Sequence, residues 1–275
     1  MTAIGFVGLG TMGFPMAVNL VKAGFDVIGY DAFAGVYEKA RTAGITMVES
    51  LGDVAARADD AIISMVRDHA QNLEIIFGDN GLLSGRPEGK TLIVMSTLDP
   101  QTMNELGRKV NEESALRLIS AAVSGGASGA RAGTLSIMTA GPEPAVTACR
   151  PYFDAIGSHT FFYGDEPGNS QVAKLVNNMI LGVTMNAVAE GLRLGDHFAL
   201  PHDELLSLLA VSTGDSWVVR NWSDVSQWTA ETALSVLQKD LKATHLQGIA
   251  HNVPLPFNAL SSTQLFDSMG ETAAP

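Results

Sequence analysis

Ile4-Gly5-Phe6-Val7-Gly8-Leu9-Gly10-Thr11-Met12-Gly13, with Pro15 and Met16 following, decides the fold of this chain. Residues 4–7 read as a short buried strand that runs straight into a glycine turn. Pro15 stands at a helix-start position, and Met16, Leu20 and Val21 continue with helical spacing to Lys22-Ala23-Gly24, where glycine ends the helix. Residues 25–30 are a second buried strand, closed by Asp31. Strand, turn, helix and strand in that order make a βαβ unit. Gly8 allows the tight turn, Gly10 lets the backbone approach a pyrophosphate, and Gly13 lets helix and strand pack closely. The free N–H groups of the helix start, around Thr11 and Met12, then face the anion.

An acidic residue ends the next strand 21 positions after Gly10, the context in which such a glycine pattern binds a dinucleotide rather than merely turning the chain. A carboxylate at Asp31 accepts hydrogen bonds from the ribose of NAD and repels the 2′-phosphate of NADP. No arginine follows in Asp31-Ala32-Phe33-Ala34, so NAD is expected in preference to NADP.

The alternation continues. Residues 61–66 and 91–95 read as buried strands, the first leading to Arg67-Asp68-His69 and the second to Ser96-Thr97-Leu98-Asp99-Pro100. Ligands of open parallel sheets lie beyond the carboxyl ends of the strands, which makes Met65, Val66, Ser96 and Thr97 candidates for cofactor contact; ordinary strand ends are the alternative. Further on, Ser124-Gly125-Gly126 offers a hydroxyl and open backbone N–H groups that can hold a carboxylate, or else forms a flexible turn between strands. From Ser170 to about Phe198 apolar residues recur in helical rhythm without a proline. At ~1.5 Å per residue that helix spans about 40 Å, enough to bridge two domains. Lys174 and Asn178, four apart, share one of its faces.

Composition excludes several classes. The 275 residues carry 17 basic and 29 acidic side chains, a net charge of −12, which is no footprint for a nucleic-acid or anionic-membrane partner. The single cysteine, Cys149, permits no internal disulfide, and the six histidines show no metal spacing, so no metal site is expected. The N-terminus does not read as a secretory signal and no unbroken run of about 18 apolar residues occurs, so a cytoplasmic protein is expected.

Taken in order, these motifs resemble the β-hydroxyacid dehydrogenases. The match runs through Gly5–Gly13 with Pro15-Met16, Ser96-Thr97-x-x-Pro100, Val123-Ser124-Gly125-Gly126 through Gly133-Thr134-Leu135, Gly164-x-x-x-Gly168 through Lys174-x-x-Asn177-Asn178, and Lys239-Asp240-Leu241. The resemblance implies an α/β fold: an N-terminal Rossmann domain with a doubly wound sheet (1–163), a long interdomain helix, and an all-helical domain for substrate and oligomer contacts (164–275). It implies oxidation of the β-hydroxyl of a small 3-hydroxy acid, or reduction of the corresponding semialdehyde, in a homodimer or homotetramer. Lys174 is then the acid/base residue, lowered in pKa by burial and by the nicotinamide's positive charge. Ser124, Gly125 and Gly126 hold the substrate carboxylate, Asn178 orients the substrate, and Thr97 and Lys239 face the nicotinamide.

Two departures stand out. The family's usual Asp-Ala-Pro-Val-Ser-Gly-Gly reads Ser120-Ala121-Ala122-Val123-Ser124-Gly125-Gly126 here, and the chain stops soon after Met269-Gly270. The segment Ser212–Trp217 with Asn221 resembles the threonate-dehydrogenase branch, which implies a polyhydroxylated acid. Rival readings are an NADPH-preferring semialdehyde reductase, an imine reductase, which generally has Asp or Tyr where Lys174 stands, and an NAD-binding sensor without catalysis.

Overall fold

The computed structural model describes residues 1–270; positions 271–275, the end of the expected 164–275 segment, lie outside the described residues. The chain divides into two compact units, Met1–Lys174 and Leu175–Pro275, the division falling within the long helix Gly168–His197.

The first unit is built on an eight-stranded sheet: β1 (Ala3–Val7), β2 (Asp26–Tyr30), β3 (Thr46–Met47), β4 (Ala61–Ser64), β5 (Thr91–Val94), β6 (Arg117–Ser124), β7 (Leu135–Ala140) and β8 (Gly157–Phe162). Their spatial order is β3-β2-β1-β4-β5-β6-β7-β8. Strands β1 to β6 are parallel and β7 runs antiparallel to β6. The register Tyr30↔Val7↔Ser64↔Val94↔Ser120 therefore aligns the carboxyl ends of β1, β2, β4 and β5 along one edge. β6 continues four residues past that line to Ser124, about 13 Å at strand rise.

Consecutive residues explain why the strands read as continuous apolar runs rather than alternating ones. Ile63, Ile93 and Ile119 belong to one buried cluster, with Met16, Leu20 and Phe153 from helices; their neighbours Ile62, Leu92 and Leu118 belong to another, with Val54, Met103 and Leu106. Helices cover both faces of the central strands, so β4 and β5 are buried along their whole length, while the edge strand β8 is largely exposed. The expected strand 61–66 ends at Ser64, although the Met65 N–H still bonds to the Val7 carbonyl of β1. The stretch after Val123 is a strand end followed by the short helix Gly126–Ala132, not a flexible turn.

The second unit contains the remainder of the long helix and the helices His202–Leu209, Trp217–Arg220, Trp222–Val225, Leu234–Ala250 and Pro256–Met269. Met185, Val188 and Leu192 of the long helix pack with Val219, Leu237, Leu241, Leu265 and Phe266. Gly168–His197 is long and apolar enough by composition to cross a membrane, with a mean hydropathy of 1.3 over its best window. Met185, Val188 and Leu192 among its apolar residues are taken up by this core, whereas Val172, Val176, Ile180 and Leu194 are exposed.

Candidate functional site

The glycine turn has the shape its sequence implies. Gly8 sits at φ +93°, its N–H donating to the Tyr30 carbonyl at 3.0 Å. A Cβ on Gly13 would lie 1.9 Å from the Gly8 carbonyl oxygen, whereas one on Gly10 would meet nothing within 4 Å. Gly13 is thus required by packing, whereas Gly10 faces open space. The helix Gly13–Lys22 that follows has no side-chain N-cap at Met12, so its first N–H groups have no side-chain acceptor. A dinucleotide pyrophosphate fits that arrangement.

Asp31 stands beside the same turn. Its Oδ2 accepts from the Leu9 N–H at 2.7 Å and its Oδ1 from the Phe33 N–H at 2.8 Å. The carboxylate therefore braces the glycine loop. Each oxygen keeps a second lone pair, so it can accept a further hydrogen bond.

Met65 and Val66 lie at the neighbouring strand end. The Met65 N–H bonds to the Val7 carbonyl at 2.8 Å, and the Met65 carbonyl closes against Gly8. Val66 is tied to the next strand, its carbonyl accepting from Ser96 Oγ at 2.7 Å. After Ser96 and Thr97, Asp99 caps the helix Pro100–Glu113 by accepting from the Gln101 and Thr102 N–H groups at 3.0 and 3.2 Å. The Ser96-Thr97-x-x-Pro100 motif is thus half structural: Asp99 and Pro100 start a helix, which fixes where Thr97 leaves the strand.

Lys174 closes the first unit. The start of its helix is fixed by buried polar side chains. The Gly168 N–H donates to Asn104 Oδ1 at 2.7 Å, and Ser170 bonds to Ser120 and, at 3.2 Å, to the Pro167 carbonyl. Gln171 donates to Ser120 Oγ at 2.9 Å and to the Ser96 carbonyl at 3.1 Å, and accepts from the Leu98 N–H at 2.9 Å. Ser120, the residue that departs from the family pattern, is completely buried in this cluster. β6 runs from Ser120 to Ser124, and the long helix runs from Gln171 to Lys174, so one anchor serves both segments. Gly125 follows at φ +128° and Gly126 at φ +62°, backbone that L side chains rarely adopt.

In the second unit, Asn178 is 6% exposed and donates to Asp240 Oδ2 at 2.7 Å; its own Oδ1 accepts from Asn177 at 3.1 Å. Lys239 Nζ lies 3.3 Å from Asp240 Oδ1, with its side chain about half exposed. Trp217 is half exposed and tilted against Trp228 at 6.4 Å, while Trp222 packs against the helical core.

Comparison with known proteins agrees with the motif order. Residues 3–164 match the NAD binding domain of 6-phosphogluconate dehydrogenase, and residues 168–274 the NAD-binding segment of NADP-dependent 3-hydroxyisobutyrate dehydrogenase. The chain is 38% identical over 216 residues to the mitochondrial 3-hydroxyisobutyrate dehydrogenase of Rattus norvegicus, covering 78% of this chain and 64% of that protein. It is 31% identical to the L-threonate dehydrogenase of Cupriavidus necator, covering 98% of this chain and 91% of that one. The chain belongs to the β-hydroxyacid dehydrogenase family. Among solved members, the 3-hydroxyisobutyrate dehydrogenase of Salmonella typhimurium superposes with a TM-score of 0.85 at 26% identity, over 97% of this chain and 94% of that one. The Rossmann sheet, long helix and helical second unit are therefore the family's architecture.

The motif reading passes over Gln171 and Asn72, and it names Ser96 only as a candidate for cofactor contact, whereas its Oγ bonds to the Val66 carbonyl. Asn72 is buried between Ser64 Oγ and Ser96 Oγ, at 2.8 and 3.2 Å. The available signal was the presence of amides and hydroxyls inside segments that otherwise read as buried.

Proposed function

We propose that the chain oxidises the β-hydroxyl of a small 3-hydroxy carboxylic acid, or reduces the corresponding semialdehyde, with NAD preferred over NADP. One observation carries the reading: the Gly8 turn, Val66, Thr97 and the first turn of the Lys174 helix are joined strand end to strand end along the edge where sheets of this kind bind ligands.

Gly8, Gly10, Thr11, Met12, Gly13 and Asp31 would hold the dinucleotide, with Met65, Val66, Thr97 and Lys239 along its length. The bound cofactor supplies the hydride acceptor. Ser124, Gly125 and Gly126 grip the substrate carboxylate by hydroxyl and backbone N–H, which suits a chain whose net charge of −12 would otherwise repel an anion. Asn178, its amide held by Asp240, bonds the substrate next to Lys174. As the carbinol C–H leaves as hydride, the hydroxyl proton passes to Lys174 Nζ, which must be unprotonated to receive it. In the reverse direction the same ammonium returns the proton to the new alkoxide.

Asp31 supports NAD: it stands at the ribose position and no arginine follows it. The L-threonate dehydrogenase relative, together with the half-exposed Trp217, supports a hydroxylated acid of three or four carbons. Apolar side chains left exposed on three helices of the second unit, Val176 and Ile180, Leu246 and Ile249, Phe257 and Leu260, support a homodimer or homotetramer. The test is a screen of C3–C5 β-hydroxy acids, including 3-hydroxyisobutyrate and threonate, with NAD and with NADP, following reduced cofactor. Turnover of at least one acid, faster with NAD, is expected. Tight NADH binding without turnover of any acid would replace the dehydrogenase by a sensor.

A further inference from the structure

Six completely or almost completely buried polar side chains form one connected system in the first unit: Ser64, Asn72, Ser96, Ser120, Ser170 and Gln171. Burying this many polar groups is costly unless each is bonded, and here they are. Ser64 Oγ donates to Asn72 Oδ1, Asn72 Nδ2 donates to Ser96 Oγ, and Ser96 Oγ donates to the Val66 carbonyl. On the other side, Gln171 Nε2 donates to Ser120 Oγ. Because Ser170 Oγ donates to the Pro167 carbonyl, the hydroxyl proton of Ser120 is the one shared with Ser170.

The two halves meet at Thr97. The Gln171 carboxamide donates to the Ser96 carbonyl and accepts from the Leu98 N–H, so it bonds the main chain immediately before and after Thr97. The amide pairs with the backbone as an adjacent β-strand would, and it continues the sheet where β5 has ended. Gln171 is also three residues, one helical turn, before Lys174. A rigid three-bond clamp therefore fixes the separation between Thr97, on the proposed nicotinamide side, and the helix turn carrying the proposed proton acceptor.

We propose that Gln171 is a positioning residue for hydride and proton transfer, through its clamp on the Thr97 backbone, with Ser120 and Ser170 orienting its amide. The inference rests on the dehydrogenase reading above. It also gives the departure at position 120 a role: a serine both accepts from Gln171 and donates to Ser170, which an ionised carboxylate there could not do.

The test uses the full chain with the best acid of the screen and NAD. Gln171→Met keeps the volume and removes all three bonds. Misplacing reacting groups by ~1 Å costs on the order of 100-fold in rate. The expected result is a kcat lowered by about 30-fold or more, with KM and NADH affinity within about threefold of wild type, and a larger kinetic isotope effect with acid deuterated at the carbinol carbon. Ser120→Ala, which removes one of the three clamp bonds together with the bond to Ser170, should give a smaller loss of the same kind. Should Gln171→Met not fold, Gln171→Glu, which keeps only the acceptor for Leu98, is judged by the same criteria. A folded variant with kcat within threefold of wild type overturns the proposal. So does a loss in which kcat and NADH affinity fall together with melting temperature, because that is a purely structural role. Absence of wild-type turnover with every acid overturns the dehydrogenase reading itself.

Discussion

Asn178 donates its side-chain N–H to Asp240 Oδ2 at 2.7 Å, joining two helices of the second unit through a pair that is 6% and 1% exposed. The bond fixes which end of the Asn178 amide points away from Asp240. Asp240→Ala leaves a buried amide without its acceptor and should cost about 1–3 kcal/mol of unfolding free energy in urea titration. The freed amide no longer presents one fixed end, so KM for the acid should rise by more than kcat falls. Asp240→Asn, which can still accept from Asn178, should lose less on both counts.

Replacing Asp31 tests both its bracing of the glycine turn and its proposed contact with the cofactor ribose. Asp31→Ala removes bonds to the Leu9 and Phe33 N–H groups and should lower stability on the order of 1 kcal/mol, since one of them is exposed. In the proposed function it also removes the carboxylate that disfavours a 2′-phosphate. The NAD-to-NADP ratio of kcat/KM should fall by about tenfold or more, equivalent to roughly 1.4 kcal/mol. Steady-state rates with both cofactors measure it.

At the glycine turn, Gly13→Ala should be severe for so small a change. Its methyl would meet the Gly8 carbonyl oxygen, a backbone atom with no rotamer to escape into. A loss of about 1–3 kcal/mol in stability and a matching loss of NADH affinity are expected by calorimetry and titration. Gly10→Ala has room and should stay as stable as wild type while binding NADH more weakly.

Alkaline pH should destabilise the first unit in a defined window. Burial pushes the Cys149 thiol from 9.0 up to about 12, and the Tyr152 phenol from 10.0 up to about 12, burial being the main cause in each case. Both are acids that keep their protons when folded and give them up when unfolded. Their contribution is complete below pH 9 and is lost as pH rises towards 12, by about 1.4 kcal/mol per pH unit for each group fully in play. Cys149→Ala should remove the slope that begins near pH 9 and leave the one that begins near pH 10. The native thiol should also resist alkylation at pH 8 until the protein is unfolded.

Much of this was legible in the sequence, for reasons that can be named. The βαβ opening is written in local chemistry: a four-residue apolar strand, glycines at a fixed spacing, and an acid after the next strand. The long helix was legible from its periodicity to within a few residues, Gly168–His197 against an expected 170–198. Less legible were features that depend on tertiary partners. Thr46–Met47 is only two residues long, too short for a period to register, and exists because Ile28 and Gly29 offer it an edge. The Ser124 region left a carboxylate-holding segment and a flexible turn both open, because nothing local shows that β6 pairs with both β5 and β7. Gln171 and Ser120, 51 positions apart, become partners only once the sheet brings them together.

Proton transfer in the proposed reaction rests on Lys174, and its most direct measurement is kcat for Lys174→Ala with the preferred acid, alongside NADH affinity in the same preparation. Turnover should fall by at least about 1,000-fold, within the range for losing a general base, while NADH binds within about threefold of wild type. Turnover within tenfold of wild type in a folded variant that still binds NADH would contradict this role, because the proton would then be leaving by another group.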